Sequence, residues 1–337
     1  MSQEYVVAVV GATGVVGKEM ISTLESRDFP IKELRLLASE RSAGQMISFR
    51  GDAIEVQALN DQSFEGVDYA LFSAGGSISK QYCPIAVKSG AICIDNSSHF
   101  RMDADVPLVV PEVNPQALEN HNGIIANPNC STAQMVVVLE PIRQQYGIKR
   151  VVVSTYQSVS GAGKDALDEL ENHSRANLSG KEMEPEKFSK PIPFNVIPHI
   201  DVFQDNGYTK EEMKMVLETK KILGEDIPVT ATAVRVPVFI SHAEAINIQT
   251  EKPVDIQECR ELLDAAAGVQ VQDDTSKNEY PTPRSVSGED DVFVGRIRKD
   301  ISVDNGIELW CVGDNLRKGA ALNAVQIAET LVSLVNT

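Results

Sequence analysis

The apolar positions along the chain fall into two textures. Tyr5–Val10 is a short, solidly apolar run, as expected of a strand buried on both faces of a parallel sheet. A glycine loop follows at Gly11–Gly17, and Lys18–Ser26 then sets Met20, Ile21 and Leu24 on one side of a helix. Leu34–Leu37, Val67–Ser73 and Ala91–Asp95 read as further buried strands, with a helical stretch at Lys80–Lys88 before the last of them. Strands alternating with helices predict a parallel α/β sheet. Beyond Cys130 the texture changes. Thr132–Tyr146 reads as a long helix, and Arg150–Gln157, Val229–Val236, Ala243–Thr250 and Ile307–Val312 are strands of more alternating polarity. They predict a second, mixed or antiparallel sheet with one more solvated face. Asp165–Lys190 is polar and partly helical. Asn315–Val335 is an amphipathic helix, with Leu316, Ala320, Ile327, Leu331 and Leu334 near helical spacing.

At 337 residues the chain suits two domains and can bury ample core without staples. Its formal net charge of −17 argues against nucleic acid and against an anionic membrane surface. It leaves room for a small anionic substrate, because screening over about 8 Å lets a few local arginines outweigh a distant net charge. The five cysteines, Cys83, Cys93, Cys130, Cys259 and Cys311, are odd in number and widely spaced, and they form no CxxC pair. That fits a reducing compartment, with neither a disulfide framework nor a metal site. The N-terminal run MSQEYVVAVVGATG has no basic segment and too short an apolar stretch for a signal peptide, so a cytoplasmic location is expected.

The glycine loop gives the first domain its chemistry. Gly11, Gly14 and Gly17 form GxxGxxG, one residue wider than the common GxGxxG, and the pattern follows a strand and opens a helix. Gly11 permits the tight turn, Gly14 lets a pyrophosphate approach and Gly17 lets helix and strand pack. Thr13, Val15 and Val16, at the helix N-terminus, are expected to meet the same anion. The plainer alternative is a strand–helix turn that holds no ligand. At the end of the second strand, where an acid would bind a ribose hydroxyl, the chain reads Leu37-Ala38-Ser39-Glu40-Arg41-Ser42. Ser39, Arg41 and Ser42 suit a 2′-phosphate and favour NADP over NAD, although Glu40 stands among them. The prediction is an α/β protein with a Rossmann-type dinucleotide-binding domain over residues 1–128, completed by the C-terminal helix 315–337. Residues 129–314 form an α+β domain with a mixed sheet.

Asn127-Pro128-Asn129-Cys130-Ser131-Thr132 puts a thiol at the start of a helix. The helix dipole and unpaired N–H groups there favour a thiolate, and the same groups can hold an oxyanion. The plainer alternative is a buried cysteine in a helix cap. The other four cysteines sit in ordinary element contexts and read as packing residues.

Six motifs in order remove the ambiguity. Residues 11–17 (GATGVVG), 95–101 (DNSSHFR), 127–132 (NPNCST), 160–163 (SGAG), 235–238 (RVPV) with His242, and 313–321 (GDNLRKGAA) together resemble the aspartate-β-semialdehyde dehydrogenase family. The likeness runs from Tyr5 to the C-terminal helix. It implies NADPH-dependent reduction of L-aspartyl 4-phosphate to the semialdehyde through a thioester on Cys130. That reaction serves biosynthesis of lysine and diaminopimelate, threonine, methionine and isoleucine. The resemblance also implies a homodimer formed through the second domain's sheet, and a site in the cleft between domains.

By the same resemblance His242 is the general acid/base and Gln157 orients the substrate near the thiol. Arg235, seven residues before His242, is the fork for the substrate carboxylate. Glu211 takes the substrate ammonium, Lys214 and Arg101 the phosphate. Ser160 and Gly161 line the nicotinamide, and Asn315 meets its carboxamide. Each also has an ordinary structural alternative. His242 can be a strand-turn histidine, Arg235 a strand-edge arginine, and Glu211 with Lys214 a solvated pair on one helix face. His99, His121, His173 and His199 have no such support and read as surface or loop residues. Two other functions remain open on the residues. N-acetyl-γ-glutamyl-phosphate reductase uses a related fold and cysteine but needs no residue for a free ammonium. A silent NADP-binding paralogue should lack the thiol or the base, and this chain has both.

Overall fold

The computed structural model describes residues 3–335, leaving aside the side chain of residue 335. The parts of the domain expectations that cover residues 1–2 and 336–337 lie outside the described residues. Contacts divide the chain into two compact units, one taking residues up to Asn129 and from Ala320 onward, the other running Cys130–Gly319.

The first unit is built on a seven-stranded sheet. Its strands are β1 (Tyr5–Val10), β2 (Ile31–Ala38), β3 (Met46–Phe49), β4 (Asp52–Ala58), β5 (Tyr69–Phe72), β6 (Ile92–Asp95) and β7 (Ile124–Ala126), in the order β3-β4-β2-β1-β5-β6-β7. All pairings are parallel except β3 with β4. Helices α1 (Val15–Ser26) and α2 (Gly76–Lys88) cross between strands. The solid apolar runs of β1 and β5 are buried because helices cover both faces of a parallel sheet. The hairpin β3–β4 is an addition that the sequence reading did not foresee. It turns on Arg50 (φ 52) and Gly51 (φ 87), the paired left-handed conformations of a two-residue hairpin turn. The three residues of β7 carry too little periodicity to mark a strand in the sequence.

The second unit holds α3 (Cys130–Tyr146), α4 (Lys164–Leu178), α5 (Lys210–Leu223), α6 (Ile256–Asp264) and the single turn α7 (Pro283–Val286). Its six strands are β8 (Ile148–Gln157), β9 (Val229–Arg235), β10 (His242–Thr250), β11 (Val269–Val271), β12 (Val292–Lys299) and β13 (Gly306–Gly313), ordered β11-β12-β13-β10-β8-β9. The sheet is mixed: β8–β9 and β11–β12 are parallel, the rest antiparallel. On β10, Ile246, Ile248 and Thr250 are buried while Ala245, Asn247 and Gln249 are half-exposed, the period-two signature of one covered face. A capping box between Thr209 and Glu212 starts α5 and fixes where Glu211 and Lys214 project. α8 (Leu322–Val335) belongs to the first unit, where Ala324, Val325, Ile327, Ala328 and Leu331 join the core of β1, β2 and β5.

The amphipathic stretch from Asn315 is not one helix. Arg317–Ala321 is a π-helical turn before α8 begins, and Leu334 is exposed rather than part of the apolar stripe. His173 is a second correction. It is buried on α4 beside Glu169 and is not a surface residue. Among the described residues no helix is long and apolar enough to cross a membrane.

Candidate active site

Cys130 opens α3, so its thiol stands at the helix N-terminus. Cys130 is half-buried, whereas Cys83, Cys93, Cys259 and Cys311 are buried. Burial pushes Cys259 up to about 11 and Cys311 well above its ordinary value. A hydrogen bond with Cys93, then burial, raises Cys83 likewise. These three thiols are held in their inert form. Room for Cys130 depends on Gly319, where a Cβ would lie 2.7 Å from the Cys130 Cβ. Gly319 sits in the 313–321 motif, but nothing in the sequence shows that it faces the thiol.

Gln157 ends β8, buried, and its Nε2 donates to Ser131 Oγ beside the thiol and to Glu211 Oε1 at 3.1 Å. Glu211, also buried, accepts from Lys214 Nζ at 2.9 Å, and the same ammonium reaches Asp201 Oδ2 at 2.9 Å. Burial works against the Lys214 charge, but the two carboxylates outweigh it and raise its pKa. The helix-surface alternative for Glu211 therefore fails, because the carboxylate faces inward.

Arg235 ends β9 and His242 begins β10, the two strands that flank β8, and both side chains approach Gly161. Arg235 Nη1 donates to the Ser158 carbonyl. Burial lowers its pKa, while Glu211 and then Cys130 pull it upward, so the guanidinium senses both. His242 Nδ1 accepts from the Ser158 N–H at 3.0 Å and lies 3.1 Å from Ser158 Oγ. A backbone N–H can only donate, so the neutral ring carries its proton on Nε2. Burial first, then Arg235, drops the His242 pKa from 6.5 to about 3. At Gly161 a Cβ would stand 3.4 Å from Arg235 Nη1 and 3.5 Å from His242 Nε2, so a bare backbone keeps that space open.

Asn315 is engaged internally. Its Oδ1 accepts from the Ser241 N–H at 2.8 Å, and its Nδ2 donates to Ser160 Oγ at 2.9 Å. It thereby fixes the Ser158–Ser160 turn against the start of β10. Ser158 was not singled out from the sequence, yet it contacts both His242 and Arg235; its only local signal is its place directly after Gln157.

Arg101 and the glycine loop belong to the first unit. Arg101 Nε donates to the Asn127 carbonyl at 2.8 Å, and Nη2 to the Asn96 carbonyl at 2.9 Å. Gly11 takes φ 88, and a Cβ there would fall 2.9 Å from the Ser73 carbonyl carbon. A Cβ on Gly17 would collide with the Gly11 oxygen. α1 begins at Val15, earlier than the apolar periodicity indicated, so Val15 and Val16 present the helix N-terminus. Beside it lies a groove of about 460 Å³ lined by Gly11, Thr13, Gly14, Ser39, Arg41, Ser42, Ser73, Ile78 and Tyr82. That is ample for part of a dinucleotide. The bare Gly11 turn, the helix N-terminus and the hydroxyl–guanidinium set after β2 fit a nicotinamide dinucleotide.

A dinucleotide-binding sheet in one unit, and a thiol, an imidazole and a guanidinium in the other, define a nicotinamide-dependent oxidoreductase. Residues 6–121 match the semialdehyde dehydrogenase NAD binding domain, and residues 139–318 match the semialdehyde dehydrogenase dimerisation domain. Aspartate-semialdehyde dehydrogenase of Aquifex aeolicus is 57% identical over 97% of this chain and 98% of its own length. That of Bacillus subtilis is 55% identical over 97% of each. The structure of Vibrio cholerae aspartate semialdehyde dehydrogenase II complexed with ASA has a TM-score of 0.96 at 51% identity, covering 98% of this chain and 99% of that one. The Candida albicans enzyme with NADP has a TM-score of 0.78 at 25% identity, covering 98% of each. The chain belongs to the aspartate-semialdehyde dehydrogenase family.

Proposed function

We propose that this chain catalyses the reversible, NADPH-dependent reduction of L-aspartyl 4-phosphate to L-aspartate 4-semialdehyde and phosphate. The observation that carries the reading is the buried Gln157 amide, which donates to Ser131 Oγ next to Cys130 and to Glu211 Oε1 at 3.1 Å, with Arg235 at the end of the neighbouring strand β9. A carboxylate and a guanidinium beside a thiol suit the ammonium and carboxylate of a free α-amino acid whose acyl carbon meets the sulfur. Cys130, as thiolate, forms the C–S bond. The C–O bond to phosphate breaks, and phosphate leaves with the electron pair and takes up one proton. NADPH, when bound, supplies the hydride that reduces the thioester carbonyl. The thiohemiacetal then collapses and returns the electron pair to sulfur. His242 is the acid/base group and serves the thiohemiacetal oxygen through Nε2, because Nδ1 is taken by Ser158.

Gln157 orients the acyl group from beside Ser131. Arg101 and Lys214 take the phosphate. Ser160 and Gly161 line the nicotinamide, with Asn315 holding Ser160 in place. Gly11, Thr13, Gly14, Val15, Val16 and Gly17 meet the pyrophosphate. Ser39, Arg41 and Ser42 select NADP, a choice in keeping with the NADP named for the Candida albicans relative. The half-exposed face of the six-stranded sheet, where Tyr156 and Trp310 lie 5.3 Å apart beside Phe293, suits a homodimer interface. Free cysteines fit a cytoplasmic location.

The test is a steady-state assay in the phosphorylating direction with aspartate semialdehyde, phosphate and NADP, run beside N-acetylglutamate semialdehyde. Aspartate semialdehyde should be strongly preferred, and Cys130→Ala should be inactive while still binding NADP. Preference for the N-acetylated substrate, or near-normal turnover in Cys130→Ala, overturns the reading.

A further inference from the structure

Three asparagine side chains form a ladder inside the first unit. Asn323, on α8, donates through Nδ2 to the Val109 carbonyl at 2.9 Å and to Asn127 Oδ1 at 2.5 Å. Asn127 donates through Nδ2 to the Ala320 carbonyl at 3.1 Å and to Asn96 Oδ1 at 2.6 Å. Asn127 and Asn323 are fully buried. The direction of every bond is determined. Val109 and Ala320 offer carbonyls, which only accept, so each must face an amide nitrogen. Asn323 therefore turns its nitrogen to Asn127, which presents oxygen in return and sends its own nitrogen on to Asn96.

The ladder ends where Arg101 is held. The guanidinium donates Nε to the Asn127 carbonyl and Nη2 to the Asn96 carbonyl. The two carbonyls that set its plane thus belong to the two residues whose side chains are bonded to each other. The Asn127 N–H also donates to the Asp95 carbonyl at 2.8 Å, which ties the two loops a second time. A long side chain with many rotamers becomes a fixed fork only if its anchoring carbonyls are fixed.

We propose that Asn127 and Asn323 are positioning residues for phosphate recognition, acting through Arg101. The proposal rests on the assignment of Arg101 to the phosphate. α8 is thereby more than a lid on the core, because it carries the far end of the ladder. Substitution by Asp should be worse than by Ala at position 323. A carboxylate oxygen there would face the Val109 carbonyl, and acceptor against acceptor repels.

The experiment measures Michaelis constants for phosphate, aspartate semialdehyde and NADP in the wild type, Arg101→Leu, Asn323→Ala, Asn323→Asp and the double variant Arg101→Leu/Asn323→Ala. Asn96→Ser, at a half-buried position, serves if the Asn323 variants do not fold. Asn323→Ala should raise the phosphate constant by roughly 2- to 10-fold, the worth of a neutral hydrogen bond, and leave the other two constants nearly unchanged. The double variant should be no worse for phosphate than Arg101→Leu alone, because a positioning residue has nothing left to position. Additive effects, or an equal rise in all three constants, overturn the proposal. If Arg101→Leu itself leaves phosphate saturation unchanged, the assignment of Arg101 fails first, and that outcome is separate from a failure of the ladder.

Discussion

The Ser158 N–H donates to His242 Nδ1 at 3.0 Å across 84 residues of sequence, and this single bond decides which nitrogen of the neutral imidazole carries the proton. With Nδ1 occupied as an acceptor, an imidazolium would point a second hydrogen at the Ser158 N–H and would stand beside Arg235. Burial and Arg235 therefore favour the neutral ring with Nε2–H in the free protein, and an oxyanion formed beside Nε2 during turnover would raise its proton affinity.

The first prediction follows from that depressed value. Above pH 6.5 the ring is neutral in both folded and unfolded chains and has no effect on the pH dependence of stability. Below 6.5 the unfolded chain binds a proton that the folded chain refuses until about pH 3. Stability contributed by the neutral ring is therefore lost as pH falls through this window, by at most about 1.4 kcal/mol per pH unit. His242→Gln cannot titrate and should lose less stability between pH 7 and pH 5 than the wild type, as read from denaturant midpoints. His242→Ala should cut the turnover number by roughly 10²–10⁴-fold with little change in substrate affinity. Parallel stability curves for His242→Gln and wild type would show that the ring titrates normally.

Gly319→Ala should impair the nucleophile although it adds only a methyl group. The new Cβ would lie 2.7 Å from the Cys130 Cβ and 3.1 Å from its Cα. Overpacking of this kind costs about 1–3 kcal/mol, and relieving it must shift the start of α3. The alkylation rate of Cys130 and the turnover number should both change. Wild-type values for both would mean that the π-helical turn yields without touching the thiol.

Arg235→Lys should raise the Michaelis constant for aspartate semialdehyde by about 10- to 150-fold, the worth of a charged hydrogen bond. An ammonium cannot hold the Ser158 carbonyl and a planar carboxylate at once. Lys214→Leu should act chiefly on phosphate saturation instead. A Lys variant at 235 with wild-type kinetics removes the carboxylate assignment.

Arg41→Ala should raise the Michaelis constant for NADP and leave that for NAD little changed, because Arg41 lies in the groove with Ser39 and Ser42 at the end of β2. Initial rates with both cofactors provide the check. Equal use of NAD and NADP by the wild type would mean that Glu40 governs the strand end.

Residues whose signal is local were legible. The apolar run Tyr5–Val10 coincides with β1, and the glycine pattern stands where the chain must turn at φ 88. Cys130 opens a helix because Pro128 stops the helix from extending backward. The hairpin β3–β4 is not legible because its strands are short and partly exposed, and α6 because only Cys259 and Leu263 of its nine residues are buried.

By itself the sequence determined two domains, a dinucleotide loop, a thiol at a helix start and the membership of Cys130, Arg235 and His242 in one set of motifs. Only the tertiary structure decided the imidazole tautomer, the clearance that Gly319 gives Cys130, the inward turn of Glu211, and the asparagine ladder behind Arg101. The physical reason is range. Turn chemistry and periodicity act over a few residues, whereas Asn323 meets Asn127 across 196 residues and His242 meets Ser158 across 84. A hydrogen bond of that span is set by how two elements pack, and no local pattern in the chain records it.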